Sequence, residues 1–378
     1  VYGRKIEGGI TRFEQFCRCA YAHFLNYGLK LKEREEGEFS SLDIGNIYHA
    51  ALERYSSKLE AGQDDWFTIN DNDRKKLTVQ AIEETIEGYP GMGEYMTAQN
   101  LHQIEQMKKV FDQTVWALTV QIRKGRFIPK DFEVGFSQNL RSDAGEVSLK
   151  GRIDRVDLFK DDGKLYVKIL DYKSGNTAFD LVKIYYGTQL QLAVYMDCVL
   201  RQKEKENPLL EVMPGGMLYY HIDDPILDQE EDETDEAWGR RMLKALRMDG
   251  LVNADRKVVE LLDRVLADGT TSDVIPVGKK KDGSYTGYSK VASSEQFNVI
   301  RTYTRKKVRE IGEGIFSGNV KISPFQRDGA TACAYCEYQG ICGFDQKIQG
   351  YEYRKLKGMD TELLMKVMQE TAQRYQKE

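Results

Sequence analysis

Two short runs carry the residue types that phosphodiester hydrolysis requires. The first is Gly151-Arg-Ile-Asp154-Arg-Val-Asp157 and the second is Leu170-Asp171-Tyr172-Lys173-Ser-Gly175. Alternate side chains on a strand share a face. Asp171 and Lys173 therefore project together, with Val167 and Ile169 behind them. Asp161-Asp162-Gly163 between the runs is a hairpin signal. It makes the runs antiparallel neighbours and brings Asp154 close to Asp171. Two carboxylates offer hard oxygen ligands to Mg²⁺ or Mn²⁺. Such an ion lowers the pKa of bound water and neutralises charge building on the phosphate. A lysine alongside orients the water or stabilises the transition state. The plainer alternative is a solvated strand face with a weak cross-strand ion pair.

The surrounding elements must position these groups. Residues 132–138, 146–160, 164–174 and 216–222 are rich in β-branched and aromatic residues and read as strands. A helix is expected at about 187–202. Upstream, residues 10–30 form a short helical segment carrying Phe13, Phe16, Tyr21 and Phe24. Ser41 and Asp43 offer N-caps for a helix to about Leu59, with Ile44, Ile47, Tyr48, Ala51, Leu52 and Tyr55 at helical spacing. Further helices are expected at 73–88 and 101–123. Downstream, the acidic run Asp228–Glu236 reads as a solvated loop, and residues 254–268 read as helical. Gly278–Gly283 is a basic turn, and a capping box at Ser293–Gln296 opens a long helix. A charged helix starts near 360. The mixture predicts an α/β fold with helices on both sides of a mixed sheet.

The net charge of −5 argues against a general electrostatic grip on nucleic acid. Any DNA contact must be a local basic groove or be shared with a partner. No run approaches the roughly 20 apolar residues of a membrane span, and Val1–Gly9 is polar rather than signal-like. A cytoplasmic chain is expected. The first residue is not Met, which suggests an excised or processed fragment. No G-x-x-x-x-G-K-[ST] loop is present, so ATP-driven activity would have to come from another chain or a missing segment.

Cys333-x-x-Cys336 and Cys342 place three of six cysteines within ten residues. A disulfide scaffold does not suit a long chain with no export signal. Clustered thiolates bind zinc or an iron–sulfur cluster, and Cys17 and Cys19 are both available as a fourth ligand. Such a site would join residues far apart in the chain and close a very long loop.

These runs resemble the RecB branch of the PD-(D/E)XK nuclease superfamily, in its G-x-x-D-R-x-D and D-Y-K-[ST]-G forms. Gln191-Leu-Ala-Val-Tyr195 matches that branch's Q-x-x-x-Y motif, and Gly45-Asn-Ile-Tyr-His49 its G-x-x-x-H. All four stand in the family's order. Together with the cysteines, Thr11-Arg-Phe-Glu14 and Ser323-Pro-Phe325, the chain resembles AddB (RexB), the second subunit of the bacterial AddAB helicase–nuclease, over nearly its whole length.

The resemblance implies a restriction-endonuclease-like core at about 40–222, an insertion at about 223–292, and a nuclease domain spanning 1–345 and closed by the cysteine cluster. A helical tail would cover 346–378. Asp154, Asp171, His49 and the Tyr172 carbonyl are the implied metal ligands, with Lys173 as the catalytic lysine. Gln191 and Tyr195, one helical turn apart, would support the site or touch DNA, and Gln189 is a second candidate. Asp157 is a runner-up ligand, set against an ion pair with Arg152 or Arg155. A lone histidine among apolar residues is ordinarily a core residue, and imidazole suits Mn²⁺ better than Mg²⁺. The ordered motifs favour His49 as a ligand and give no support to His23, His102 or His221.

Cys19, Cys333, Cys336 and Cys342 are implied to hold a [4Fe–4S] cluster, with zinc as the alternative. Alanine in Cys19-Ala-Tyr21 stands where the family has proline. The implied function is metal-dependent exonucleolytic cleavage of one DNA strand during double-strand break processing, beside an AddA-like helicase partner. Competing readings are a stand-alone or CRISPR-associated exonuclease and a non-catalytic DNA-binding scaffold. Intact Asp154, Asp171 and Lys173 speak against the scaffold. Lys279-Lys280-Lys281, with Tyr285 and Tyr288 nearby, reads as a charged surface loop rather than a DNA contact.

Overall fold

The computed structural model describes residues 3–32, 39–90, 98–228 and 233–375. The chain begins with β1 (Lys5–Gly8), α1 (Ile10–Arg18) and α2 (Ala20–His23), the last continued by a π-turn at Phe24–Gly28. Three long helices follow: α3 (Ser41–Ala61), α4 (Asp71–Glu87) and α5 (Ala98–Lys124). The hairpin region is β2 (Ile128–Ser142), β3 (Gly145–Asp161) and β4 (Lys164–Lys173). Next come α6 (Leu181–Tyr186), α7 (Gln191–Glu206), β5 (Glu211–His221), α8 (Asp235–Ala245), β6 (Asp249–Asn253), α9 (Arg256–Leu262) and β7 (Val291–Ala292). The chain ends with α10 (Ser294–Phe316), β8 (Phe325–Arg327), β9 (Ala330–Thr331), α11 (Gln339–Cys342), β10 (Arg354–Lys355) and α12 (Thr361–Tyr375).

Among the described residues, β1 to β7 form one mixed sheet and β8 to β10 a second, small one. The long strand β3 organises the large sheet. β2 lines one edge of it antiparallel along nearly its whole length. The other edge is shared: β1 pairs parallel with residues 146–149, and β4 pairs antiparallel with residues 155–161. β5 lies parallel to β4, as a crossover through α6 and α7 requires.

Period-two alternation sorts the β4 side chains onto two cores. Tyr166, Leu170 and Tyr172 face the cluster built on α3, α4 and α5. Val167 and Ile169 face the cluster built on α1, α7, α10 and α12. β4 is covered on both faces, so its core positions are almost continuously buried.

Several elements differ from the sequence expectation for local reasons. The α3 cap is Ser40 rather than Ser41, with Asp43 completing a capping box. The helix expected at 187–202 is split. Gly187 adopts a left-handed φ of 78° and closes α6, and α7 starts at Gln191. Asp235 and Glu236, from the acidic run, sit in the first turn of α8 behind the Thr234 cap, where negative charge favours the helix dipole. Residues 229–232 of that run lie outside the described residues. The segment 223–292 supplies β6 and β7 to the main sheet. α12 buries Leu364, Met365 and Met368 in the core that it shares with α10.

Candidate active site

Three strands place one carboxylate each at a common level. The β2–β3 register pairs Phe132 with Arg155 and Val134 with Ile153, so Glu133 stands opposite Asp154. The β3–β4 register pairs Arg155 with Leu170, so the next step sets Asp154 opposite Asp171. Asp154 lies just past the last β3–β4 pair, where the two strands part. Its Oδ2 accepts a 2.6 Å hydrogen bond from the Tyr172 amide. Glu133 has a left-handed φ of 48°. For a non-glycine residue this is a strained conformation, of a kind held at functional sites.

Helices reach this level from both sides. From α3, His49 sets Nε2 3.1 Å from the Tyr172 carbonyl. Its Nδ1 lies 3.3 Å from Asp154 Oδ1 and 3.8 Å from Glu133 Oε1. The G-x-x-x-H spacing has a packing cause: Gly45, one turn before His49, lies against the strand end, where a Cβ would come within 3.1 Å of Ser174 Oγ. From α7, Gln191 donates through Nε2 to Asp171 Oδ1 at 2.6 Å and accepts from Lys173 Nζ at 2.8 Å. Lys173 Nζ is also 2.5 Å from Asp171 Oδ2. Gln191 Nε2 lies 2.9 Å from the Tyr195 hydroxyl, one turn along. The Q-x-x-x-Y motif thus secures the Asp171–Lys173 pair.

The charges act strongly on one another. Burial and the neighbouring Asp154 charge push the Asp171 carboxyl up to about 7, against the pull of Lys173. Burial disfavours the His49 cation, but hydrogen bonds to Asp154 and Glu133 and the Asp171 charge prevail and lift it to about 10. A crowded group of acids thus holds a proton on His49. That is the electrostatic setting of a cation site, where metal binding would release the proton.

The donor atoms of His49, Glu133 and Asp154 all lie within 4.8 Å of one another, a compact set of two carboxylate oxygens and one imidazole nitrogen. The 3.1 Å separation of His49 Nε2 and the Tyr172 carbonyl matches two adjacent ligands about 2.2 Å from one octahedral ion. The residues fit a divalent cation. A pocket of about 440 Å³ opens over them, walled by Asn46, Arg152, Lys173 and Ser174 among others.

The two aspartates of the first motif part company. They are three residues apart on one strand, an odd spacing, so their side chains leave opposite faces. Asp157 is fully buried against the α3–α5 side. It takes a bidentate pair from Arg155 at 2.7 and 2.8 Å, and Lys168 Nζ at 2.6 Å. The ion-pair reading of Asp157 therefore stands, with Arg155 rather than Arg152. Gln189 lies outside the acid cluster: it accepts from the Asp180 amide and donates to the Ala178 carbonyl, bracing the loop before α6. His221 Nε2 bonds the Thr177 carbonyl, and Arg12 Nε donates to His23. Lys279 bonds the Leu266 carbonyl and Tyr285 the Ala254 carbonyl, so much of the basic turn is used in its own packing.

The motifs did not reveal two further residues. Glu133 follows no pattern, because a twisted, bulged edge strand breaks period two. Glu14 is buried on α1 and accepts from the Leu190 and Gln191 amides at 2.6 and 3.2 Å. It holds the N-terminus of α7, and hence Gln191, in place.

The cysteines converge as pairs of distant segments. Cys19 packs with Ala22, Leu25 and Tyr338, and with the half-buried Cys336. Cys333 and Cys336 both feel the Cys19 and Cys342 thiols. The Tyr338 hydroxyl bonds the Leu31 carbonyl, joining the two segments again. Cys17 points elsewhere, with its sulfur beside Gly187, and burial pushes its thiol up to about 12.

The fold and this constellation belong together in known proteins. The chain belongs to the PD-(D/E)XK nuclease superfamily, which residues 10–343 match. Relatives named as one subunit of an ATP-dependent helicase/deoxyribonuclease share this sequence. The one from Lachnoclostridium phytofermentans is 38% identical over 96% of this chain and 31% of its own length. Those from Alkaliphilus metalliredigens and Clostridioides difficile are 34% and 35% identical, over 99% and 95% of this chain and 33% and 32% of theirs. The chain thus spans about a third of the length of the curated relatives it matches. Among the described residues, no helix is long and apolar enough to cross a membrane.

Proposed function

We propose that this chain is the nuclease unit of a two-subunit helicase–nuclease, cutting one DNA strand by metal-assisted hydrolysis as a helicase partner unwinds the duplex in double-strand break processing. The observation that carries this reading is the compact acid–imidazole set beside the Asp171–Lys173–Gln191 network. Residues 1–345 would form the nuclease domain, with 346–378 as a helical tail packed on it. His49, Asp154, Glu133, Asp171 and the Tyr172 carbonyl would hold Mg²⁺ or Mn²⁺. The bound ion supplies a Lewis acid for the phosphate and an acidified water. Lys173, fixed by Gln191, directs its ammonium at the attacking water or the charged transition state. Tyr195 keeps Gln191 in register with both. Arg152, on the pocket wall with no ion pair among the described residues, offers a cation to the phosphate.

Cys19, Cys333, Cys336 and Cys342 would hold a [4Fe–4S] cluster that joins α1 to the late loop. A single zinc ion with bonds of about 2.3 Å draws thiolates to about 3.8 Å of one another. No three of these sulfurs come within 4.8 Å of one another, a spread that suits the corners of a larger cluster. The Phe344 amide donates to Cys342 Sγ at 3.4 Å, a bond of the kind that tunes cluster sulfurs.

The test is cleavage of end-labelled single-stranded DNA with Mn²⁺ or Mg²⁺, together with iron and sulfide analysis. Cleavage should vanish with EDTA and in Asp171→Ala. Metal-independent cleavage, or full activity of Asp171→Ala, would refute the assignment. DNA bound but not cut by the parent would favour the scaffold reading.

A further inference from the structure

A second cleft, of about 650 Å³, opens between α6 and the small β8–β10 sheet. It continues the catalytic pocket. Ser174 and Gly175 line that pocket, and the next residues, Asn176 and Thr177, line the cleft. One extended loop forms the wall of both, so a chain leaving the Lys173 ammonium enters the cleft within a residue or two.

The charges there are unevenly spent. Asp180 and Asp328 are the acids of the wall, and both are paired with Arg327, at 2.6 and 3.1 Å. Arg18 has only Glu14 at 3.7 Å, a carboxylate already taken up by two backbone amides. Lys183 makes no ion pair among the described residues and faces the cleft. Two cations are therefore left to act on whatever lies there. At the rim, Tyr335 is fully exposed, with no packing to explain an aromatic ring at that position. An aromatic face beside a cationic groove is the pattern that holds single-stranded nucleic acid, with bases on the ring and phosphates on the cations.

We propose that this cleft is the track on which a single DNA strand lies as it enters or leaves the catalytic pocket, with Lys183 and Arg18 on its phosphates and Tyr335 stacked on a base. The proposal rests on the nuclease reading above for its substrate. A duplex is too stiff and wide to follow the bend from pocket to cleft, which favours the single strand.

The experiment compares the parent with Tyr335→Ser and Lys183→Gln in two ways. The first is kcat/KM on an oligo(dT) of about 20 nucleotides relative to thymidine 5′-(p-nitrophenyl phosphate), an ester too small to reach the cleft. Each substitution should lower that ratio, Tyr335→Ser by roughly five- to a hundredfold. The second is oligo(dT) binding by fluorescence anisotropy in EDTA as salt is raised. Lys183→Gln should flatten the slope of log affinity against log salt by about 0.7, the loss of one phosphate contact. Iron content checks that Tyr335→Ser leaves the neighbouring cysteines loaded. A parental ratio and slope in both variants would overturn the proposal, as would weakened binding confined to duplex DNA. A parent that hydrolyses neither substrate would refute the nuclease reading, and the EDTA binding arm would still decide the track.

Discussion

Asp154 and Asp157 look alike in sequence, and the structure predicts opposite consequences of neutralising them. Asp157 is the sole counter-charge among the described residues for Lys168 and for the guanidinium of Arg155, whose side chains are 7% and 0% exposed. Asp157→Asn leaves two buried cations without it. Breaking a buried pair from one side costs about 3–5 kcal/mol, a large part of the roughly 5–15 kcal/mol that holds a folded domain together. With a urea dependence of about 3 kcal/mol per molar, the unfolding midpoint should fall by roughly 1 to 1.7 M. Asp154→Asn behaves otherwise. Its carboxamide oxygen still accepts from the Tyr172 amide, and one negative charge leaves the surroundings of Asp171. The metal-free midpoint should hold or rise, while Mn²⁺ affinity by calorimetry falls at least about tenfold, because ligand charge sets affinity. The reasoning is refuted if Asp157→Asn keeps its midpoint but loses Mn²⁺, or if Asp154→Asn unfolds as early as Asp157→Asn.

Four further outcomes are expected. Glu133→Gln should weaken Mn²⁺ binding by roughly ten- to a hundredfold; unchanged calorimetry would remove Glu133 from the metal set. Glu14→Ala frees the Leu190 and Gln191 amides and should cut kcat about tenfold, while Glu14→Gln, which keeps an acceptor oxygen, recovers most of it; equal losses in both would contradict the positioning role. Cys19→Ser should abolish iron content and visible absorption, and Cys17→Ser should keep both; the reverse result would reassign the ligand. Burial and the adjacent Arg12 push the His23 imidazole down to about 4. The unfolded chain then binds a proton that the folded chain refuses, so stability drops as pH falls from about 6.5 to 4, by up to about 1.4 kcal/mol per unit. His23→Phe should flatten that slope in denaturation curves, and an unaltered slope would exclude His23 as its source.

The local sequence by itself determined a good deal. Alternation at Val167, Ile169, Asp171 and Lys173 fixed a common face because the strand period is exact at short range. Asp162-Gly163 fixed the turn, and the pairing of Asp154 with Asp171 followed from it. Gln191 and Tyr195 had to meet because residues four apart share a helix face. Ser293 and Gln296 capped α10 as expected, since a capping box closes within four residues. Only the tertiary structure decided matters that depend on distant neighbours. Asp157 became an ion-pair partner because Lys168 came alongside from β4. Glu133 joined the acid group through a bulged edge strand with a left-handed residue, which no repeat announces. Glu14 reached α7 across more than 170 residues of chain, and Cys19 rather than Cys17 turned toward the late cysteines because α1 ends between them. Hydrogen bonds within a turn are written in adjacent residues, whereas electrostatic partners are chosen by packing of the whole chain.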